Sequence, residues 1–129
     1  MSEIINEPLL KAEIRSSNRI TNVETDEVRE MVLYVKEPSF RFSLGQSIGV
    51  IVPGKEEVGS DRHKRKYSIA RGKLNDSEEG AEITILVKRC FYVDDFNGEQ
   101  YPGRASNYLC NAKVGDMVTI TGPYHSPFN

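Results

Sequence analysis

An arginine, a tyrosine and a serine lie close together in the stretch RHKRKYSIARG, residues 62–72. Successive side chains of a strand point to opposite faces, so Arg65 and Tyr67 share one face of an extended segment. Lys66 and Ser68 share the other face. A guanidinium offers fork-like donors to a phosphate, and a tyrosine ring offers a stacking surface. This predicts a site for a ligand with a phosphate and a flat ring; a cross-strand cation and aromatic pair is the structural alternative.

A second candidate is the stretch GRASN, residues 103–107, which precedes a segment with helical spacing. Gly103 permits close approach of the backbone, and a helix start presents unpaired N–H groups at the positive end of the helix dipole. Arg104 adds a charge and Ser106 a hydroxyl donor. The combination is typical of an anion site, with a simple capped helix as the alternative.

The third candidate is the stretch ILVKRCFYVDD, residues 85–95, with Lys88 near the end of a strand and Tyr92 beyond it. An aromatic residue at a strand end can stack on a purine or simply cover the mouth of a barrel. The two phosphate-donor clusters, together with Tyr67 and Tyr92, indicate a dinucleotide with two aromatic ends.

Alternating patterns predict the elements that position these residues. Stretches rich in Val, Ile, Thr and aromatic residues, with turn residues at their ends, predict strands at 11–20, 30–37, 47–54, 82–89 and 117–123. The chain offers no long helical crossover, which favours an antiparallel barrel or sandwich over a parallel sheet. One short helix is predicted in 103–113, with Ser106 or Asn107 as its N-cap, and exposed loops at 54–64, 72–81 and 93–103.

Length and composition limit the classes of protein that fit. The 129 residues carry a net charge of −2 with both signs interspersed, which predicts one domain, residues 1–129, without the broad basic surface that nucleic acids require. Neither a signal peptide nor a run of eighteen apolar residues is present, so we predict a cytoplasmic protein with no membrane span. Cys90 and Cys110 are expected to be free thiols, and no spacing indicates a metal site.

Three ordered segments carry a resemblance to a known family: RKYSIA, ITILVKRCFY and GRASNYLCNAKVGDMVTITGP. Together they resemble the flavin-binding domain of the ferredoxin–NADP⁺ reductase family, in which an R-x-Y-S segment and a later G-x-x-S segment bind FAD. The upstream stretch FRFSLGQSIGVIVPG is also similar, so the resemblance spans about residues 9–124. With the alternating pattern, it predicts an all-β, mainly antiparallel fold: a six-stranded Greek-key barrel with one short capping helix.

The resemblance implies roles for individual residues of the first motif. Arg65 would bind the FAD pyrophosphate, Tyr67 would lie against one face of the isoalloxazine, and Ser68 would sit near its N5 edge. Lys66 belongs to the same cofactor-binding motif.

Residues of the second motif are implied to line the rest of the cofactor. The backbone of Leu86, Val87 and Lys88 would follow the ribityl and adenosine side, and Tyr92 would stack on adenine. Lys88 also matches a family lysine that approaches the nicotinamide nucleotide.

The third motif would complete the diphosphate site and the adjoining cleft. Ser106 and the backbone N–H groups of Arg104 and Ala105 would hold the diphosphate behind Gly103, and Thr121 would border the cleft. Ala105 stands where the plant-type pattern usually has a cysteine, and that difference weakens any prediction of a thiol beside the flavin.

The family also implies partners. Its members continue after TGP into an α/β domain that binds NAD(P)H, and they pass electrons to or from a ferredoxin-like carrier. This chain stops soon after TGP, so we expect an excised domain that is inactive alone; a subunit pairing with a separate pyridine-nucleotide protein and a fold kept for another purpose are alternatives. No catalytic side chain is predicted, because a flavin carries its own redox chemistry. The other functional hypotheses are a flavin-free structural or regulatory subunit and a small barrel that binds single-stranded nucleic acid.

Overall fold

The computed structural model describes residues 9–38, 40–52, 63–75, 80–93, 100–102 and 104–125. This part of the chain contains nine strands and one helix. They are β1 (Leu10–Arg19), β2 (Val28–Val35), β3 (Ser47–Val52), β4 (His63–Ser68), β5 (Arg71–Asn75), β6 (Gly80–Lys88), β7 (Phe91–Val93), β8 (Gln100–Pro102), α1 (Arg104–Asn111) and β9 (Met117–Tyr124).

Seven strands form one antiparallel sheet in the order β4-β3-β9-β1-β2-β6-β5. The strands at its two ends, β4 and β5, are joined by only two residues, Ile69 and Ala70. The Ile69 N–H donates to the Gln46 carbonyl beside β3, at 2.8 Å, and the Ala70 N–H donates to the Thr84 carbonyl of β6, also at 2.8 Å. The chain therefore crosses from one edge of the sheet to the other at this point, which curls the sheet into a barrel.

The predicted all-β, antiparallel fold with one short helix is confirmed. Counting β4 and β5 as one bent strand gives the six strands that were predicted. Three strands that follow one another along the chain also lie side by side in the barrel: β3, the bent strand and β6. The strand before them in the chain, β2, lies beside β6 rather than beside β3. This arrangement is a Greek key. The short β7–β8 hairpin forms a separate two-stranded sheet.

The core fills the barrel interior with residues from alternate positions of the strands. On β2 and β6, Met31 lies opposite Ile85 and Leu33 opposite Ile83, and all four side chains are fully buried. Leu109 of α1 is also fully buried and belongs to the same cluster. Since every second side chain faces the core, the residues between them are available to line the surface.

All three predicted loops contain strand residues. The loop predicted at 93–103 holds Val93 of β7 and all of β8, while residues 94–99 and 103 lie outside the described part of the chain. Arg71–Asn75 pairs with β6 from Thr84 to Gly80, although the sequence predicts a loop from Gly72 onwards. A strand at the end of the sheet exposes much of its surface, and therefore carries few of the apolar residues that mark a strand in sequence. The loop predicted at 54–64 is wrong at its end, where β4 begins; residues 53–62 lie outside the described part of the chain.

The predicted N-cap of the helix is also wrong. The helix begins at Arg104, so Ser106 and Asn107 lie in its first turn rather than at its cap. Their side chains bind a neighbouring strand end: the Cys90 N–H donates to Ser106 Oγ at 2.9 Å, and Asn107 Nδ2 donates to the Cys90 carbonyl at 3.0 Å. Tertiary contacts have replaced the local capping bond that the residue types favoured.

Candidate functional site

Three chain segments that are distant in sequence meet at one cleft of about 400 Å³. They are the end of β4 with the bend that follows it, the end of β6 with the residue pair beyond it, and the first turn of α1. The cleft is lined by Arg65, Lys66, Tyr67, Ser68, Ala70, Leu86, Lys88, Cys90 and Ser106. Seven of these nine residues were predicted from the sequence, and they come from all three motifs.

Tyr67 is the half-buried centre of the β4 part of the cleft. Its ring packs against the hydrophobic core, opposite Ile48 of β3, while part of it faces the cleft. Its hydroxyl is buried and has no hydrogen-bond partner among the described residues. Burial raises the pKa of this hydroxyl to about 12, an effect that the Arg65 guanidinium partly opposes. A buried donor without a partner is the kind of group that a ligand can satisfy.

The basic residues of β4 have different surroundings. Arg65 is exposed, and within the described part of the chain no carboxylate pairs with its guanidinium. Lys66 Nζ lies 4.2 Å from the centre of the Tyr124 ring, which positions that ammonium by a cation–π contact. The prediction that Lys64 belongs to an exposed loop is wrong. This lysine is half-buried in β4, and its Nζ donates to the Tyr124 hydroxyl at 3.1 Å.

At the end of β6, side chains face the core and the cleft in alternation. Val87 is fully buried in the core, whereas Leu86 is 46% exposed and faces the cleft together with Lys88. Lys88 Nζ also lies 3.3 Å from Asp26 Oδ2, in a pair exposed to solvent. Val87 does not line the cleft, and the backbone role expected for Leu86, Val87 and Lys88 stays a prediction.

The first turn of α1 forms another part of the cleft wall. Ser106 is buried, lines the cleft, and is held to the β6 end by the bond from the Cys90 N–H to its Oγ. Ala105 is also buried. Gly103 and the side chains of Arg104 and Tyr92 lie outside the described residues, so their predicted roles stay predictions.

Several curated proteins of similar sequence are ferredoxin–NADP reductases. The chain is 40% identical over 97 residues to the protein of a Picosynechococcus species, which covers 74% of this chain and 24% of the relative. It is 45% identical over 84 residues to root isozyme 1 of Arabidopsis thaliana, covering 61% and 22% respectively. The chloroplastic protein of Chlamydomonas reinhardtii is 33% identical over 124 residues, covering 92% and 35%. The chain is homologous to part of the ferredoxin–NADP reductases.

The chain spans about a quarter to a third of the length of these relatives. No family model matches the sequence. Two solved structures of ferredoxin–NADP⁺ reductase from Plasmodium falciparum superimpose on 94% of the chain with TM-scores of 0.63 and 0.62 at 22% identity, and the match covers 41% and 39% of those chains. At this identity the structural likeness shows that the barrel fold is shared.

Some features of this reductase homologue differ from the sequence prediction. Thr121 does not line the cleft; it is fully buried on β9, and its hydroxyl lies 2.6 Å from the Tyr124 hydroxyl. Ala70 and Cys90 do line it and were missed. Cys90 follows Lys88 by two residues, so the two side chains would share one face of an extended segment, and this spacing could have indicated Cys90. Ala70 depends on the bend after β4, for which the sequence carries no comparable signal.

Other classes of site receive no support from the described residues. None of the described helices is long and apolar enough to cross a bilayer. No group of three or more His, Cys, Asp and Glu side chains in the described ranges could hold a metal ion. Cys90 is a half-buried free thiol and Cys110 a buried one. The cleft is therefore the strongest candidate site in this part of the chain.

Proposed function

We propose that this chain is the flavin-binding part of an oxidoreductase of the ferredoxin–NADP reductase type and that it binds FAD non-covalently in the cleft. The observation that carries the proposal is the convergence of Arg65, Tyr67 and Ser106, from two separate motifs, on one cleft of about 400 Å³. A volume of this size lies within the range of ligand-binding clefts. The homology to ferredoxin–NADP reductases supports the same assignment.

The residues present fit a flavin dinucleotide in two respects. The buried Tyr67 hydroxyl, which has no partner in the described part of the chain, suits an oxygen or nitrogen of a ligand lying against its ring. The exposed Arg65 guanidinium, on the same face of β4, suits a phosphate. Ser106 and the start of α1 supply further donors across the cleft.

The division of labour follows from this fit. FAD would supply the redox chemistry when bound, and the protein would supply binding and orientation. Tyr67 would cover one face of the ring system, while Arg65 and Ser106 would hold the phosphates. Ser68 and the backbone at Leu86–Lys88 would complete the contacts along the cleft.

The electron donor and acceptor belong to the same proposal. We place the chain in a protein that passes electrons between NAD(P)H and a ferredoxin-like carrier, with the pyridine nucleotide held by a separate NAD(P)-binding domain or subunit. The names of the relatives support this pairing. A cytoplasmic location and the organisation of residues 1–129 as a single domain remain predictions from the sequence.

Titration with FAD tests the proposal. We expect purified protein to quench FAD fluorescence at micromolar concentration, and Arg65→Ala and Tyr67→Ala to weaken binding because each removes a cleft contact. Arg71→Ala is the matched control, because Arg71 is an exposed arginine of β5 that pairs with Glu30 and does not line the cleft. Protein that leaves FAD fluorescence unchanged, or an Arg65→Ala variant that binds FAD as tightly as the Arg71→Ala control, would contradict the proposal.

A further inference from the structure

Arg89 connects the end of β6 to helix α1 without lining the cleft. Its backbone N–H donates to the Glu27 carbonyl at 2.8 Å, and its Nε donates to Glu27 Oε1 at 2.9 Å. On the other side of the guanidinium, Nη1 donates to Asn107 Oδ1 at 2.6 Å and Nη2 donates to Asn111 Oδ1 at 2.9 Å. The side chain therefore binds one carboxylate near β2 and two amides of the helix at once.

The geometry of these contacts restrains the helix in two ways. Asn107 and Asn111 are four residues apart and so occupy the same face of α1, one turn from each other. A guanidinium is planar and rigid, so a fork bound to both amides fixes the rotation of the helix as well as its position along its axis. Glu27, whose side chain is only 15% exposed, anchors the fork from the opposite side.

The restraint continues from Arg89 to the wall of the cleft. Asn107 accepts from Arg89 and donates through Nδ2 to the Cys90 carbonyl, at 3.0 Å. The Cys90 N–H in turn donates to Ser106 Oγ at 2.9 Å. Ser106 is the residue of α1 that lines the cleft. A chain of hydrogen bonds thus runs from the guanidinium to the cleft.

We propose that Arg89 is a positioning residue: it holds α1 so that Ser106 and the first N–H groups of the helix face the phosphate side of the ligand. The inference rests on the proposed flavin-binding function, and it concerns only the part of the cleft wall that α1 forms. The Arg65 and Tyr67 half belongs to β4, to which Arg89 makes no described hydrogen bond. Loss of Arg89 should therefore affect phosphate-bearing ligands selectively.

The test compares the binding of FAD with that of riboflavin, which lacks the phosphates, in fluorescence titrations. The four proteins are the wild type, Arg89→Ala, Arg89→Lys and Arg29→Ala. We expect Arg89→Ala to raise the FAD dissociation constant by about tenfold, because side chains that are preorganised in the wild type must be ordered on binding. We expect its riboflavin dissociation constant to change by less than about twofold, since that ligand does not use this wall. Arg89→Lys should recover part of the FAD affinity, because an ammonium can keep one contact but cannot bind both amides together.

Arg29→Ala is the matched control. Arg29 Nε binds the other oxygen of Glu27, at 2.6 Å, and no described contact joins it to α1. Its removal breaks an ion pair at the same carboxylate. The ratio of the FAD and riboflavin dissociation constants should stay as in the wild type. Thermal unfolding of each variant shows whether it folds, and Asn111→Ala, at an exposed position, is the milder variant should Arg89→Ala not fold. It should shift the ratio in the same direction by a smaller factor.

A second measurement needs no flavin. Alkylation of Cys90 in ligand-free protein, followed by peptide mass spectrometry, reports on the contacts between α1 and the β6 end. Arg89→Ala should speed this reaction several-fold, while Cys110, which is buried and whose thiol pKa is raised by burial, serves as the slow internal reference. Unchanged Cys90 reactivity would mean that Arg89 does not hold the helix.

The outcomes separate the two proposals. Wild-type protein that binds no FAD overturns the proposed function. Wild-type protein that binds FAD, with an Arg89→Ala variant of equal affinity, overturns the role of Arg89 alone. Equal weakening of FAD and riboflavin binding also overturns it, because general loosening of the fold would not distinguish the two ligands.

Discussion

Replacing Tyr67 with phenylalanine should move stability and ligand binding in opposite directions. The tyrosine hydroxyl is buried without a hydrogen-bond partner among the described residues, and its ring packs against the core. Phenylalanine keeps the ring and removes only the oxygen. The ligand-free protein then loses the cost of an unsatisfied polar group, whereas the ligand-bound protein loses a hydrogen bond.

The size of both effects follows from the surroundings of the hydroxyl. Leaving a buried polar group unpaired costs about 1–3 kcal/mol, so Tyr67→Phe should raise the free energy of unfolding by about 1 kcal/mol. For a domain of this size, that corresponds to an increase in Tm of about 3–5 °C. A hydrogen bond to a ligand is worth about 0.5–1.5 kcal/mol, so FAD affinity should fall by about 2- to 10-fold.

Alkaline pH offers a second readout of the same hydroxyl. Its pKa is raised from an ordinary value of 10.0 to about 12, chiefly by burial. Below pH 10 the hydroxyl is protonated in both the folded and the unfolded chain, so its titration does not change the free energy of unfolding. As pH rises from 10 towards 12, the hydroxyl ionises in the unfolded chain before it does in the folded one, so the free energy of unfolding falls. Tyr67→Phe should make stability depend less steeply on pH in this range.

Urea denaturation at pH 7 and at several pH values above 10, together with FAD titration at pH 7, measures these effects. Tyr67→Leu is the control, because it removes the ring as well as the oxygen and should lower both stability and affinity. A Tyr67→Phe variant that is less stable than the wild type at pH 7 would refute the reasoning, since the hydroxyl would then have a partner in the ligand-free protein.

Two further substitutions test the barrel and the Arg89 anchor. Gly49→Ala would place a Cβ 2.6 Å from Thr121 Oγ1 and 2.9 Å from Lys64 Cδ. We expect a loss of about 1–3 kcal/mol in urea denaturation, and an unchanged midpoint would contradict this packing. Hydrogen bonds from Arg29 and then Arg89 lower the pKa of the Glu27 carboxyl, so its contribution to stability is complete above its ordinary pKa and is lost as pH falls through the folded one. Glu27→Gln should therefore flatten the acid limb of stability against pH; an equally steep limb would show that Glu27 does not control it.

The strands that form the core could be predicted because burial imposes an alternating pattern on their sequence. Met31, Leu33 and Val35 on β2 occupy every second position and are all fully buried. The strand Arg71–Asn75 could not be found in this way, because a strand at the end of the sheet needs little apolar surface. This strand depends on its pairing with β6, and the types of its own residues do not indicate that pairing.

The residues of the cleft could also be predicted in part from local sequence patterns. The alternation of Arg65 and Tyr67 and the glycine and serine before a helix identified two halves of a site as separate motifs. The resemblance to a known family joined them, but it also suggested Thr121, which the structure places in a buried contact with Tyr124. The Arg89 network could not be predicted from any local pattern, since its partners lie 62 and 18 positions away along the chain.

The closure of the barrel and the formation of the cleft have one structural cause. At Ile69 the chain still bonds to the residue before β3, and at Ala70 it already bonds to β6. This two-residue bend links β4 to β5, the two end strands of the sheet. The first-motif residues lie directly before the bend on β4, while the second and third motifs are attached to β6 and its continuation. The cleft can therefore exist only when β4 is drawn across to β6, and the same hydrogen bonds that close the barrel bring Tyr67 and Ser106 to one cleft. Local sequence can specify each motif, but their meeting is a property of the closed sheet.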